Sequence, residues 1–112
     1  MFLTNNQSTA LKGSDFYAKA RDAADLLLRV TVDGDFDIVA NWDYVIDDTD
    51  GGVVLVELKD DVNTSRVLLK PNDFADRNRL EFRLNRLWSR LLLDRAKTHL
   101  TELRQSLQAT AG

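Results

Sequence analysis

The last third of the chain has the pattern of a long helix. Residues 72–108 contain neither Gly nor Pro, and helix-favouring Leu, Arg, Glu, Lys, Gln and Ala dominate them. We therefore predict a helix over residues 73–108, about 54 Å long if unbroken. A compact domain of this size has a diameter of about 34 Å. The helix is therefore expected to overhang its domain, or to break near Asp94 to Thr98, where the helix formers are weakest.

Two apolar stripes lie on different faces of this predicted helix. One stripe consists of Leu80, Leu84, Leu87, Trp88 and Leu91, and the other of Phe82, Leu93, Ala96, Leu100, Leu103 and Leu107. A surface helix needs only one such stripe to pack against its domain. The sheet accounts for one stripe, so the other is expected to meet either the N-terminal helix or a second copy of the chain.

A shorter helix is predicted near the N-terminus. Ser14 is a candidate N-cap, and the apolar residues from Phe16 to Leu27 recur at helical spacing, which predicts a helix over residues 14–28. The exit of this helix has two interpretations, because Leu27 to Val32 alternates in a way that also suits a strand. Residues 1–13 show no such pattern and are expected to be flexible.

Between the helices the pattern changes to alternation. From Ile38 onward apolar and polar residues alternate, the Asp- and Gly-rich segment 47–52 has hairpin composition, and strands are expected at 53–59 and 65–70. Short turns cannot make parallel crossovers, so residues 36–70 are predicted to form an antiparallel meander. Pro71 marks the boundary between the strand region and the long helix.

Together these elements predict an α+β fold in a single domain, residues 1–112. We expect a small antiparallel sheet of three to four strands, with the short N-terminal helix and the long C-terminal helix on one face. The order is roughly α-β-β-β-α. The segment Leu27 to Val32 is the candidate for an extra strand.

The net charge of −3 conceals an asymmetry along the chain. Residues 31–61 contain one cation and ten anions, whereas residues 62–112 contain ten cations and five anions. Apolar residues are interleaved with both segments. This arrangement favours charge complementarity, within the chain or between subunits, over a tail that binds nucleic acid.

Cationic residues form a continuous edge between the two apolar stripes. This edge consists of Arg79, Arg83, Arg86, Arg90, Lys97 and Arg104. Arg83, Arg86 and Arg104 have no acidic residue three or four positions away, so helical neighbours cannot neutralise them. Three interpretations remain open: a solvated face, a contact with the acidic segment, and phosphate binding by the guanidinium groups.

The sequence offers little for catalysis. Without Cys, disulfides and thiolate sites are excluded, and His99, the single histidine, is interpreted as a packed or interfacial side chain. The glycines are wrongly spaced for a phosphate-binding loop. The cluster of Asp47, Asp48 and Asp50 is better explained by hairpin chemistry than by a metal. We predict no catalytic, cofactor-binding or metal-binding residue, and a protein that is not an enzyme.

These patterns favour a small protein–protein interaction module, such as a regulator, adaptor or assembly factor. It is expected to be cytoplasmic, without a membrane segment, and to dimerise through the C-terminal helix. The predicted contact surface combines Arg83, Arg86 and Arg104 with Leu100, Leu103 and Leu107. The alternative is a regulator that binds nucleic acid through the same arginines, against which the excess of acidic residues weighs.

Overall fold

The computed structural model describes residues 3–47 and 51–111 and has the predicted α+β architecture. In chain order the elements are β1 Leu3–Gln7, α1 Thr9–Lys12, α2 Tyr17–Val30, β2 Ile38–Asp47, β3 Gly51–Lys59, β4 Thr64–Leu69, α3 Pro71–Ala75 and α4 Arg77–Ala111. Within these residues, every helix is too short or too polar to pass through a lipid bilayer.

The four strands form one sheet in the order β1-β2-β3-β4. The antiparallel meander is confirmed, since β2 pairs with β3 and β3 with β4 in antiparallel register. Asp47 pairs with Gly51, whose φ of 74° is readily adopted only without a Cβ. Asp48 and Asp50, which belong to the predicted hairpin loop, lie outside the described residues.

The fourth strand differs from the one that the sequence suggested. The prediction of flexibility at the N-terminus is wrong for residues 3–12, because β1 pairs with β2 in parallel and α1 follows it. The sheet is therefore mixed and not purely antiparallel. Side-chain amides support this edge, since Asn5 Oδ1 accepts a hydrogen bond from Trp42 Nε1 at 2.9 Å.

The N-terminal helix is shifted from its predicted position by about one turn. Ser14 does not cap it; Ser14 Oγ instead accepts a hydrogen bond from the Phe16 N–H at 3.2 Å, in the turn before α2. At the other end, the buried Thr31 donates from Oγ1 to the Leu27 carbonyl at 2.9 Å. Leu27 to Val30 is thus the last turn of the helix, and the strand alternative for Leu27 to Val32 is wrong.

The main core lies on one face of the sheet, under α2 and α4. Trp42, Val56 and Val67 are neighbours on adjacent strands and face this core. Small residues of α2, such as Ala20 and Ala23, are completely buried in it. Burial of Trp42 and Trp88 agrees with their interpretation as core residues.

The predicted long helix is divided close to its start. Asp76 has extended backbone angles between α3 and α4, and its Oδ1 accepts a hydrogen bond from the Asn78 N–H at 3.0 Å. Such local capture of a backbone N–H favours a helix boundary. From Arg77 to Ala111 the helix is continuous, without the break considered near Asp94 to Thr98. At about 52 Å, α4 runs most of the 58 Å length of the molecule.

Candidate interaction surface on the C-terminal helix

The two apolar stripes of α4 differ in burial. The first stripe, from Leu80 to Leu91, packs into the core, and Leu84 and Leu91 are fully buried. The second stripe is exposed on the opposite side: Phe82 is 62% exposed, Leu93 55%, Leu100 48%, Leu103 57% and Leu107 62%. The part of the chain that the structure describes therefore covers only the first stripe, and α2 leaves the second one open to solvent.

Polar contacts fix α4 to the β3–β4 turn at its midpoint. Arg95 Nη1 lies 3.0 Å from Asp60 Oδ2, and the Arg95 guanidinium stacks 3.8 Å from the centre of the Phe36 ring. One turn further, Thr98 Oγ1 donates to Asn63 Oδ1 at 3.1 Å. Every described side chain from His99 to Ala109 is exposed. The last three turns of described helix therefore project beyond the body of the protein.

Asp60 is the anchor of this attachment. Burial raises the pKa of Asp60, but backbone N–H groups of Asn63 and Val62, together with Arg95, outweigh burial and hold that pKa below its ordinary value. Asn63 N lies 2.6 Å and Val62 N 2.8 Å from Asp60 Oδ1. The contacts that attach α4 to the β3–β4 turn thus favour the charged form of Asp60.

We expect Asp60→Asn to lower the free energy of unfolding at neutral pH by about 1–3 kcal/mol, since a charged hydrogen bond to Arg95 is lost. The advantage of the native chain is complete above about pH 5, and it falls below about pH 4 as the carboxylate protonates. Urea unfolding at several pH values measures the difference. Asp61→Asn is the matched control, because Asp61 is 82% exposed and lies 3.5 Å from Arg95. An equal loss in both variants would contradict the role given to Asp60.

The exposed stripe has the spacing of a coiled-coil seam beyond the midpoint of the helix. Leu93, Ala96, Leu100, Leu103 and Leu107 are separated alternately by three and four residues. This is the a and d pattern of a heptad repeat, with Leu93, Leu100 and Leu107 at a and Ala96 and Leu103 at d. We call these five residues the distal seam. It is about 21 Å long.

The two sides of the distal seam differ in charge. Lys97 and Arg104 occupy the e positions, whereas Leu92, His99 and Ser106 occupy the g positions. His99 is 65% exposed, with Nδ1 4.0 Å from Glu102, so its interpretation as a side chain packed within the chain is wrong. One flank of the seam is therefore cationic and the other carries no fixed charge of its own.

The three arginines predicted to be available for binding have different environments. Arg83 donates from Nη2 to the Leu68 carbonyl at 2.9 Å, and its Nε lies 3.8 Å from Asp73 Oδ2. The prediction that Arg83 is free to bind a partner is therefore corrected, because its guanidinium group already has partners within the chain. In the part of the chain that the structure describes, neither Arg86 nor Arg104 has a carboxylate within ion-pair distance.

Some acidic residues of the segment 31–61 form ion pairs with cations of the segment 62–112. Glu57 pairs with Arg66 at 2.9 Å, and the Arg66 guanidinium holds the pKa of that carboxyl below its ordinary value. Arg95 forms ion pairs with Asp60 and Asp61. Neither arginine belongs to the predicted cationic edge. Among the described residues, no three His, Cys, Asp or Glu side chains gather as metal ligands would.

Several residues of this region were missed by the reasoning from sequence. Arg95, Asp73 and Lys70 were given no role, although Asp73 is buried beside Arg79 and Arg83. Asp73 lies six and ten residues before those arginines, beyond the three- and four-residue spacings at which side chains of one helix are neighbours. Pro71 could have indicated the role of Asp73, because proline is common at the start of a helix and an acidic residue two positions later is typical of the first helical turn.

Comparisons with protein-family models, with curated proteins and with solved structures found no match to this chain. The surface of α4 is the feature of this chain that points to a function.

Proposed function

We propose that the protein is a small, non-enzymatic interaction module that dimerises through the distal half of α4. It would act as a regulator, adaptor or assembly factor in the cytoplasm, where the absence of Cys is unremarkable. The observation that carries the proposal is the exposure of Leu93, Leu100, Leu103 and Leu107, 48–62% each, along one side of a projecting helix.

A projecting helix needs support. Isolated helices shorter than about 12–15 residues are marginally stable in water, and every side chain described beyond Thr98, as far as Ala109, is exposed. Packing of a second helix along the distal seam supplies that support and removes its leucines from water.

The second helix is best supplied by another copy of this chain. Two distal seams placed side by side bring Leu to Leu at positions 93, 100, 103 and 107, while Ala96 leaves room at the remaining layer. Phe82 continues the same stripe toward the body of the protein and is 62% exposed. The self-complementary surface is what a two-fold dimer requires.

The flanking charges select a parallel arrangement. In an antiparallel pair the e positions of the two helices face each other, which places Lys97 and Arg104 against cations. In a parallel pair each e position faces a g position, so Lys97 meets Leu92 and Arg104 meets His99. Like charges in contact are destabilising, so the parallel dimer is favoured.

Disulfide trapping tests the dimer and its direction together. The chain has no Cys, so Leu107→Cys introduces a single thiol. A parallel dimer places the two thiols at facing a positions, within the Cα separation of about 4.4–6.8 Å that a disulfide needs. We expect mild oxidation to convert most of this variant into a covalent dimer, as seen on non-reducing gels.

Gln105→Cys is the matched control, because residue 105 lies on the outer side of the same turn. It should cross-link far less than Leu107→Cys at equal concentration. Equal and slow cross-linking of both variants would contradict the parallel seam, and a trapped dimer that forms only at very high protein concentration would contradict dimerisation as the function.

A further inference from the structure

A second feature of α4 lies nearer its start, where a groove separates the helix from β4. The groove has a volume of about 360 Å³. Arg83, Arg86 and Arg90 line it from α4, at spacings of three and four residues that put them on one side of the helix. Arg66 and Lys70 line the opposite wall. Five cations from separate elements thus converge on one small space, which we call the cationic groove.

Among the residues that the structure describes, no carboxylate lines the cationic groove, which has Val67, Leu68 and Leu87 between its walls. Arg66 has a carboxylate partner outside it in Glu57, and Arg83 has one in Asp73. Arg86 and Arg90 have none among the described residues. At least two guanidinium groups therefore face the groove without a counter-charge from the chain.

The arginine side chains are also positioned by contacts of their own. Arg83 Nη2 is tied to the Leu68 carbonyl at 2.9 Å, and Arg66 Nε to Glu57 Oε2 at 2.9 Å. Arg83 Nε is buried, and no described residue accepts a hydrogen bond from it. Two members of the groove are thus held by the fold before any ligand arrives, which reduces the entropy lost on binding.

The charge and size of the groove indicate the class of its ligand. Guanidinium forks pair bidentately with phosphate or carboxylate, and a phosphate ester carries close to two negative charges where a carboxylate carries one. Two uncompensated arginines match a dianion better than a single carboxylate. The volume falls at the lower end of small-ligand pockets, which are about 300–1,000 Å³.

We infer that the cationic groove binds the phosphate groups of a small ligand, such as a diphosphate or the diphosphate moiety of a nucleotide. Arg86 and Arg90 supply the principal contacts, with Arg66, Lys70 and Arg83 completing the wall. The site is separate from the distal seam, which begins at Leu93, so its occupation does not depend on the proposed dimer.

Calorimetric titration of the full chain with inorganic pyrophosphate at low salt tests this inference. We expect binding that weakens as salt is added, and a loss of affinity of about tenfold or more in Arg86→Gln and in Arg90→Gln. Arg104→Gln removes the same charge from the same helix outside the groove, and should leave the affinity unchanged. Urea midpoints of all variants should match the native chain, because these arginines are exposed.

A parallel titration with a single-stranded oligonucleotide distinguishes a free phosphate ligand from a nucleic-acid backbone. Pyrophosphate that binds and displaces the oligonucleotide supports the groove. Absence of pyrophosphate binding overturns the inference, whether or not the oligonucleotide binds, and an oligonucleotide that binds alone favours the nucleic-acid alternative. Equal weakening by Arg104→Gln also overturns it, since the attraction would then belong to the whole helix.

Discussion

Replacing Leu84 with Ala is expected to lower the free energy of unfolding by about 2–5 kcal/mol. Leu84 is fully buried on the core-facing stripe of α4, so truncation removes apolar contacts and leaves a cavity. The loss is a large part of the about 5–15 kcal/mol that holds a domain of this kind together. Urea unfolding followed by fluorescence of the buried Trp42 and Trp88 measures it.

Leu107→Ala is the matched comparison on the exposed stripe. Leu107 is 62% exposed, so at protein concentrations low enough to keep the chain monomeric its truncation should change stability by less than about 0.5 kcal/mol. At high concentration the same substitution should reduce stability, because the seam then contributes to folding through association. A Leu84→Ala variant as stable as the native chain would contradict the assignment of the two stripes.

Replacing Asp73 with Ala is expected to lower the free energy of unfolding by about 2–4 kcal/mol, because it removes a charged hydrogen bond to Arg79 and leaves a backbone N–H unsatisfied. Asp73 Oδ1 lies 2.8 Å from Arg79 Nε, and Oδ2 accepts a hydrogen bond from the Lys70 N–H at 2.8 Å. Its side chain is 2% exposed. Removal leaves the Lys70 N–H and the buried Arg83 Nε without compensation at the entrance to α3.

Two further variants separate the contributions of Asp73. Asp73→Asn keeps an acceptor for the Lys70 N–H but loses the charge, so its stability in urea should fall between those of the native chain and Asp73→Ala. Asp76→Ala removes only an exposed helix-capping carboxylate and should cost about 1 kcal/mol. If Asp73→Ala were no more damaging than Asp76→Ala, the buried cluster would have no structural role.

Sequence alone predicted those elements whose signal is local and strong. The helix α4 was predicted because helix-favouring residues dominate it and it contains neither Gly nor Pro, and the meander because apolar alternation agrees with turn-forming segments between the strands. β1 escaped prediction because its sequence, LTNNQ, is poor in strand-forming residues and its partner strand lies some thirty-five residues away. Its pairing depends on tertiary contacts such as the hydrogen bond from Trp42 to Asn5.

The candidate surface likewise has one part that could be predicted from sequence and another that could not. The exposed stripe through Leu100 and Leu103 followed from helical periodicity, because which residues share a face is a geometric property of the helix. The pairing of Arg95 with Asp60 joins residues thirty-five positions apart, and no periodicity encodes it. The cationic groove likewise combines α4 with the cations Arg66 and Lys70 from a neighbouring strand and turn.

The central claim is that the distal seam is covered by a second copy of the chain, and molar mass in solution tests it most directly. Light scattering of the full chain and of a version ending at Lys97 should be recorded at low and high protein concentration and at low and high salt. We predict that the full chain approaches twice the 12.7 kDa of one chain as concentration rises, in both salts, while the shortened version stays monomeric. A full chain that remains at 12.7 kDa under every condition would contradict the account.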